Sequence, residues 1–153
     1  MTAHLTVTLQ MPAGSERVFD TIHNYDGRLA WDTLLQRAEV HGDRPPGRGV
    51  VTTCTARRSL GGLAFTTQYK AFDRPRVAAV KLVRPTGPFA TWGASIRHQE
   101  LAPDQHGARS TCTYVMTFTA RPAWLAPVVE AVAARAFSWE TRRRLRALAS
   151  HLG

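Results

Sequence analysis

The strongest constraint on the fold of this 153-residue chain is a series of strand-like segments that gives way, at the end, to one helical pattern. Residues 4–11 alternate apolar and polar side chains, as in a strand with one buried face. Six further segments are rich in Thr, Val and aromatic residues and are separated by short turn sequences. They cover residues 36–42, 49–57, 63–72, 76–83, 89–101 and 109–120. Strands joined by short turns pair as an antiparallel sheet.

Helical patterns occur on both sides of these six segments. Ser15 can cap a helix whose apolar residues Val18, Phe19 and Ile22 recur at helical spacing, and residues 26–35 read as a second short piece. The last pattern runs for about 27 residues to the end of the chain and is the only element long enough to cover the sheet. The sequence therefore predicts one α+β domain over residues 1–153, with seven antiparallel strands wrapped around a long C-terminal helix and two short helices between strands 1 and 2.

Charge is the next constraint. The chain has a formal charge of +9, and all but Lys70 and Lys81 of its 20 basic residues are arginine. The arginines are spread from Arg17 to Arg146, which is typical of a solvated surface and makes nucleic acid an unfavoured partner. No secretory signal and no apolar run of about 20 residues is visible, so we expect a cytoplasmic protein.

Signatures of covalent, metal and nucleotide chemistry are missing from the sequence. There is no G-x-S-x-G, and Cys54 and Cys112 lie in strands with no neighbouring basic residue that would activate a thiol. The six histidines show no H-x-x-x-H or H-x-H spacing, and the paired glycines of SLGGLAF (59–65) lack the lysine of a phosphate loop. We therefore expect no metal and no cofactor.

A curved sheet around one helix leaves a space between them, and strand parity identifies the side chains that face it. Alternate residues of a strand point to opposite faces, so the apolar face of each strand is the inward one. Four residues with polar tips fall on inward faces: Tyr69, Trp92, His98 and Tyr114. A buried histidine is more often a core residue than an acid or base. His98 beside Tyr114 can nevertheless polarise a carbonyl group, as a cyclase or dehydratase requires.

The order of the elements resembles the helix-grip fold of the START / Bet v 1-like (SRPBCC) superfamily, which includes polyketide cyclase/dehydrase-like and lipid-transport proteins. Four segments carry the resemblance and together span nearly the whole chain: MPAGSERVFDTIHNYDGRLAWD (11–32), GRGVVTT (47–53), HGARSTCTYVMTF (106–118) and RRRLRALASHL (142–152). The resemblance implies an internal cavity for a hydrophobic ligand such as a lipid, sterol, polyketide or quinone. Only some members of the superfamily are enzymes, so the fold leaves activity open.

Trp31 and Asp32 lie where the short helices lead into the second strand, near one mouth of the expected cavity. One interpretation is a ligand gate with Asp32 as an acid or base. The other, which we favour, is structural, with Trp31 closing the end of the sheet and Asp32 capping a turn. On the last helix, Phe137 and Thr141 begin an apolar stripe that faces the sheet, and both are candidate ligand contacts.

The last helix carries two stripes that point in almost opposite directions. If it is straight, Glu130 faces the cavity, and Val128, Val132 and Trp139 form an exposed patch for a homodimer or a peripheral membrane contact. If it is kinked or rotated, the valines are core. In the run of arginines at 142–146, three are expected to be solvated, and Arg144 borders the inward stripe, where its stem can snorkel.

Three functions remain. The first is a carrier or sensor that binds a hydrophobic small molecule, which both the resemblance and the missing catalytic signatures favour. The second is a polyketide cyclase/dehydratase-type enzyme that uses His98, Tyr114 or Asp32 for acid/base chemistry. The third is a binder of nucleic acid or of an anionic membrane surface through its arginines, which steep salt dependence would reveal.

Overall fold

The computed structural model describes residues 2–153, and its seven strands correspond to the seven predicted segments. The strands are β1 (Ala3–Met11), β2 (Leu35–Val40), β3 (Val51–Ala56), β4 (Ala64–Asp73), β5 (Val77–Leu82), β6 (Phe89–Asp104) and β7 (Gly107–Ala120). All pair antiparallel in one sheet of order β1-β7-β6-β5-β4-β3-β2. The sheet curls into a half-barrel, with β1 and β2 at its two edges.

Two helices accompany the sheet. Helix α1 (Ser15–Ile22) and a 3-10 turn (Arg28–Ala30) lie between β1 and β2, and helix α2 (Ala126–Leu152) ends the chain. A second 3-10 turn (Arg58–Leu60) joins β3 to β4. This α+β helix-grip architecture confirms the predicted fold. Neither helix combines the length and the apolar character that crossing a bilayer requires, within residues 2–153.

Helix α1 begins differently from the prediction. Ser15 is its first residue rather than its cap, Gly14 occupies the N-cap position, and the Ser15 hydroxyl is buried without a partner. The Ser15 backbone N–H instead donates to the Glu100 carboxylate of β6. A negative charge at a helix N-terminus stabilises the unpaired N–H groups of the first turn, so Glu100 takes the role expected of the serine side chain.

The C-terminal half of α2 forms the main core with the sheet. Leu145, Leu148 and Leu152 are buried against inward side chains such as Val7 of β1 and Phe118 of β7. The predicted inward faces of β6 and β7 are correct, because the alternate residues along these strands are buried. This half of the interior is therefore filled by side chains.

The N-terminal half of α2 follows the straight-helix alternative, and the alternative of a kinked or rotated helix with its valines in the core is wrong. Val128, Val132 and Trp139 are exposed, whereas Glu130 is buried. The same alternative predicted that Glu130 faces the cavity, and this part is wrong, because Glu130 is not among the residues that line it. Its Oε2 accepts a hydrogen bond of 3.0 Å from the backbone N–H of Ala120, so it ties the end of β7 to the helix.

The arginine run contains one side chain that departs from the prediction. Arg142, Arg143 and Arg146 are exposed, as expected for the solvated side of the helix. Arg144 does not snorkel to water, because its guanidinium turns inward and is buried. The physical reason is a carboxylate, Asp32, which receives two hydrogen bonds from it inside the fold.

Candidate functional site

A cavity of about 340 Å³ lies between the sheet and the N-terminal half of α2. This size falls within the range of pockets that hold small molecules. Its wall is mostly apolar and draws on every strand from β2 to β7; the aliphatic and aromatic members include Ile22, Leu35, Phe65, Val80, Phe89, Trp92, Ile96, Met116 and Phe137. The sequence-derived expectation of a space under the helix matches this cavity.

Side-chain size explains why the space is at this end of the helix. Ala133 and Ala136 line the cavity where the C-terminal half of α2 presents leucines. Ala136 is also exposed, so the cavity opens beside it. The turns after β3 and β5 also border the cavity, through Leu63 and Pro88, and Leu63 packs against Gly87. Gly87 has a φ of 53°, and a side chain there would collide with Leu63.

A row of polar side chains forms one part of the cavity wall. The Tyr69 hydroxyl lies 2.7 Å from His23 Nδ1 and 2.8 Å from the Tyr25 hydroxyl. Tyr25 in turn donates to the Thr52 hydroxyl at 3.4 Å, and Thr52 lies 3.4 Å from the Thr67 hydroxyl. These residues come from the end of α1, the following loop, β3 and β4, so only the folded sheet brings them together.

Burial holds the titratable members of this row in their neutral forms. Burial, with a contribution from Arg28, lowers the pKa of His23 to about 3. Burial also raises the pKa of Tyr25 and, with the neighbouring Tyr25 hydroxyl, that of Tyr69. At neutral pH the row therefore consists of hydrogen-bonding groups that neither take up nor release a proton readily.

Two buried arginines share one aspartate beside this row. Arg144 Nε and Nη2 donate to the two Asp32 oxygens at 3.0 Å each, and Arg28 Nε donates to Oδ2 at 2.8 Å. Arg28 Nη1 also donates to the Ile22 carbonyl at 2.8 Å. Both guanidiniums border the cavity, and Arg144 lies over the Tyr114 ring at 5.9 Å. Within residues 2–153 no other carboxylate is within 4.0 Å of either arginine.

This cluster has a net positive charge, because two guanidiniums share one carboxylate. Burial opposes ionisation of Asp32, but Arg144 and Arg28 outweigh it and hold the pKa of this carboxyl well below its usual range. Burial likewise opposes the charge of Arg28, and Asp32 outweighs it, so the pKa of the guanidinium is raised. All three groups are therefore ionised, and one positive charge at the cavity wall lacks a carboxylate partner.

The eight residues predicted as ligand contacts divide into two sets. Tyr69, Trp92, Tyr114 and Phe137 line the cavity. The other four are buried but do not line it: Trp31, Asp32, His98 and Thr141. Trp31 and Thr141 border a second space of only about 10 Å³, and Asp32 accepts a hydrogen bond from the Leu34 backbone as part of a turn.

His98 lies behind the cavity rather than in it. Both ring nitrogens are buried without a hydrogen-bond partner, and the Phe19 ring packs edge-on at 5.7 Å. Burial lowers its pKa to about 4, so the ring is neutral. The proposed pairing with Tyr114 is not present as a hydrogen bond among the described residues.

Several site residues were not recognised in the sequence, chiefly His23, Tyr25, Arg28 and Arg144. The spacing of Arg28 and Asp32 is i, i+4, and this favours an ion pair, so a signal for that half of the cluster was present. Nothing comparable marks His23, a lone histidine at the end of α1. Among residues 2–153, no three His, Cys, Asp or Glu side chains are grouped to hold a metal ion.

The family model for "polyketide cyclase / dehydrase and lipid transport" matches residues 2–153. The chain belongs to this family. No curated protein matches the sequence, so the remaining comparisons are with solved structures. These structures share the START / Bet v 1-like fold that the sequence resembled.

Three solved structures illustrate the likeness. The Zhui aromatase/cyclase from Streptomyces sp. R1128 has a TM-score of 0.81 at 14% identity, covering 99% of this chain and 94% of that one. A START superfamily protein from Mycobacterium smegmatis gives 0.78 at 10% identity, with 98% and 97% covered. The major latex-like protein 151 from Panax ginseng gives 0.72 at 11% identity, with 99% and 97% covered. At these identities the likeness concerns the fold alone.

Proposed function

We propose that this family member is a carrier or sensor that binds a hydrophobic small molecule with one anionic or strongly hydrogen-bond-accepting group. The observation that carries the proposal is the surplus guanidinium charge at the wall of an otherwise apolar cavity. The apolar body of the ligand would lie against side chains such as Phe65, Trp92 and Phe137. Its polar group would lie at Arg28 and Arg144.

The ionisation states of the cavity favour binding over catalysis. General acids and bases work best when their pKa lies near the operating pH. His23 and His98 have pKa values of about 3 and about 4, and Asp32 is held as a carboxylate by two arginines. These groups suit a fixed polar surface that orients a ligand.

A matched pair of probes tests the proposal. The fluorescent dye 1-anilinonaphthalene-8-sulfonate carries an anion, and N-phenyl-1-naphthylamine has the same ring system without it. Arg144→Met removes the surplus charge and leaves the Arg28–Asp32 pair intact. We expect it to weaken sulfonate binding about tenfold or more, since hydrogen bonds to charged groups contribute about 1.5–3 kcal/mol, and to leave the neutral probe nearly unchanged. Arg142→Met, on the exposed side of the same helix, is the control.

A second variant tests the location. Ala133→Phe adds a ring that projects into the cavity, so both probes should be lost. Ala131→Phe adds the same ring on the exposed side of α2 and should have no effect on either probe. Equal probe binding by the Ala133 and Ala131 variants, with unchanged far-ultraviolet circular dichroism, would place the site elsewhere and refute the proposal.

The natural ligand can be sought directly. Denaturing extraction of the purified protein followed by mass spectrometry would reveal a bound lipid, quinone or polyketide-like species. Loss of that species from the Ala133→Phe variant would tie it to the cavity. A cytoplasmic location remains part of the proposal, in keeping with the unpaired thiols of Cys54 and Cys112.

The second candidate is a polyketide cyclase or dehydratase. The observation that favours it is the hydrogen-bonded row of His23, Tyr69 and Tyr25 along the cavity, next to guanidiniums that can polarise a carbonyl. The test is conversion of a poly-β-ketone thioester by the purified protein, compared with Tyr69→Phe. Turnover that Tyr69→Phe abolishes, with probe binding retained, would replace the carrier assignment by an enzymatic one.

A further inference from the structure

The outer face of α2 has a composition that neither the fold nor the cavity requires. Trp124, just before the helix, is 79% exposed, and Val128, Val132 and Trp139 are 63%, 64% and 58% exposed. At about 100° per residue, Val128, Val132 and Trp139 fall within an arc of about 40°. Large apolar side chains aligned at this exposure, on an element otherwise packed against a sheet, indicate a contact surface.

The same face carries a second set of side chains, all of them arginine. Arg135, Arg142 and Arg146 lie within about 40° of the apolar stripe, and all three are exposed. Arg143 borders the arc, and its guanidinium stacks on the Trp139 ring at 5.2 Å. Both acidic residues of the helix, Glu130 and Glu140, are buried on other sides of it. The exposed arginines Arg135, Arg142 and Arg146 have no carboxylate within 4.0 Å among the described residues.

We propose that this outer face of α2, from Trp124 to Arg146, docks on an anionic lipid surface. Tryptophan rings concentrate at the boundary between head groups and acyl chains, and valines bury there without needing polar partners. Arginines beside them meet the negative head groups. Charge complementarity thus selects the occupant, because every ionised side chain on the face is positive.

Charge also argues against a second copy of the chain. In a twofold dimer the same patch meets itself, so Arg135, Arg142 and Arg146 of the two copies would crowd together without carboxylates between them. Nucleic acid fits the arginines but not the valines, which neither stack on bases nor form hydrogen bonds. An anionic bilayer uses both sets of side chains.

The position of the face relative to the cavity adds a consequence that rests on the proposed function. Ala136 lies about 40° around the helix from Val132 and about 60° from Trp139, is exposed, and lines the cavity. The docking face therefore adjoins the opening of the cavity. A ligand taken from or delivered to a bilayer would pass this edge of α2.

Vesicle flotation tests the docking directly. The full chain is mixed with vesicles of phosphatidylcholine alone or of phosphatidylcholine with 30 mol% phosphatidylglycerol as a chosen composition, at about 0.1 M and about 0.5 M salt. We expect flotation with the anionic vesicles only, weakened by salt. Tryptophan emission should shift to the blue, because Trp124 and Trp139 leave water while Trp31 and Trp92 are already buried.

Three sets of variants separate the contributions. Trp124→Ser with Trp139→Ser should abolish both flotation and the blue shift. Replacing Arg135, Arg142 and Arg146 by Gln should weaken partitioning of the protein onto anionic vesicles about 100-fold, because each positive charge near the surface contributes about fivefold. A control replaces by Gln three exposed arginines away from this face, two in the connection between β2 and β3 and one on β6, and should weaken partitioning less than tenfold; these are Arg44, Arg48 and Arg97.

Each other outcome overturns the proposal. Concentration-dependent dimerisation that Val132→Ser removes, with no flotation, would assign the face to a second copy. Binding of double-stranded DNA that the Trp variant retains and the Arg variant loses, again with no flotation, would assign it to nucleic acid. The Trp variant should still bind both naphthalene probes in the cavity, so failure of docking and failure of the proposed ligand binding are observed separately.

Discussion

Acidification is the perturbation that most directly tests the interior described here. His23 and His98 have folded-state pKa values of about 3 and about 4, against 6.5 for an unperturbed histidine. Between pH 6.5 and these values the unfolded chain binds a proton at each position and the folded chain does not. We therefore expect the free energy of unfolding to be highest above pH 6.5 and to decrease as the pH is lowered from 6.5 toward these folded-state pKa values.

The magnitude follows from the two pKa values. Between pH 7.5 and pH 5 each histidine should remove about 2 kcal/mol from the free energy of unfolding, or about 4 kcal/mol for the pair. Carboxylates contribute little in this range, because the unfolded pKa of Asp, about 3.9, lies well below pH 5. A loss of this size is a large part of the 5–15 kcal/mol typical of a folded domain.

Urea unfolding followed by far-ultraviolet circular dichroism at pH 7.5 and pH 5 measures the effect. His98→Leu and His23→Gln should each remove about half of the pH dependence. His98→Leu should also raise stability at pH 7.5 by about 1 kcal/mol, because it removes two buried nitrogens that have no hydrogen-bond partner. His151→Gln, at an exposed position near the end of α2, is the control and should leave the dependence unchanged.

The reasoning fails if stability is flat between pH 7.5 and pH 5, or if His98→Leu leaves the wild-type dependence intact. Either result would mean that the imidazole of His98 gains a proton in the folded state near pH 6.5. Such a ring would be accessible to solvent and poised for proton transfer, which would restore it as an acid/base candidate.

Three shorter predictions address other contacts. Asp32→Asn leaves two guanidiniums side by side in the interior and should lower the free energy of unfolding by about 3–5 kcal/mol in urea, whereas Asp20→Asn, in an exposed pair, should cost at most about 1 kcal/mol. Glu100→Gln should destabilise the start of α1 by about 1 kcal/mol, seen as faster amide hydrogen exchange in its first turn. Leu148→Ala should cost about 2–5 kcal/mol in thermal or urea unfolding, since this side chain is fully buried.

The architecture was predictable because it is encoded in local patterns. Period-two alternation and turn residues specify the seven strands, and parity then fixes which side chains face α2. On β7 this reasoning selected Cys112, Tyr114, Met116 and Phe118, and all four are buried. Whether residues 1–153 form a single domain stays a prediction.

The polar part of the site was not predictable by the same means. Arg144 and Asp32 are 112 positions apart, and the preference of an arginine for a buried carboxylate over water depends on a geometry that no helical periodicity contains. The His23–Tyr69 contact likewise joins residues 46 positions apart. His98 was correctly placed on an inward face, but parity does not tell which part of that face borders open space.

The arginine–aspartate cluster is hard to explain as a stabilising device. Burying three charges costs several kcal/mol for each ion, and well-packed apolar residues at such sites are often equally or more stable. An Arg28–Asp32 pair would satisfy the carboxylate, so the second guanidinium adds a desolvation cost with no second carboxylate to offset it. Under the proposed function, an anionic or carbonyl-bearing ligand in the cavity would supply that missing partner. The desolvation cost of the second guanidinium would then be offset when the ligand binds. We therefore expect Arg144→Met to weaken sulfonate binding without lowering the stability of the ligand-free protein.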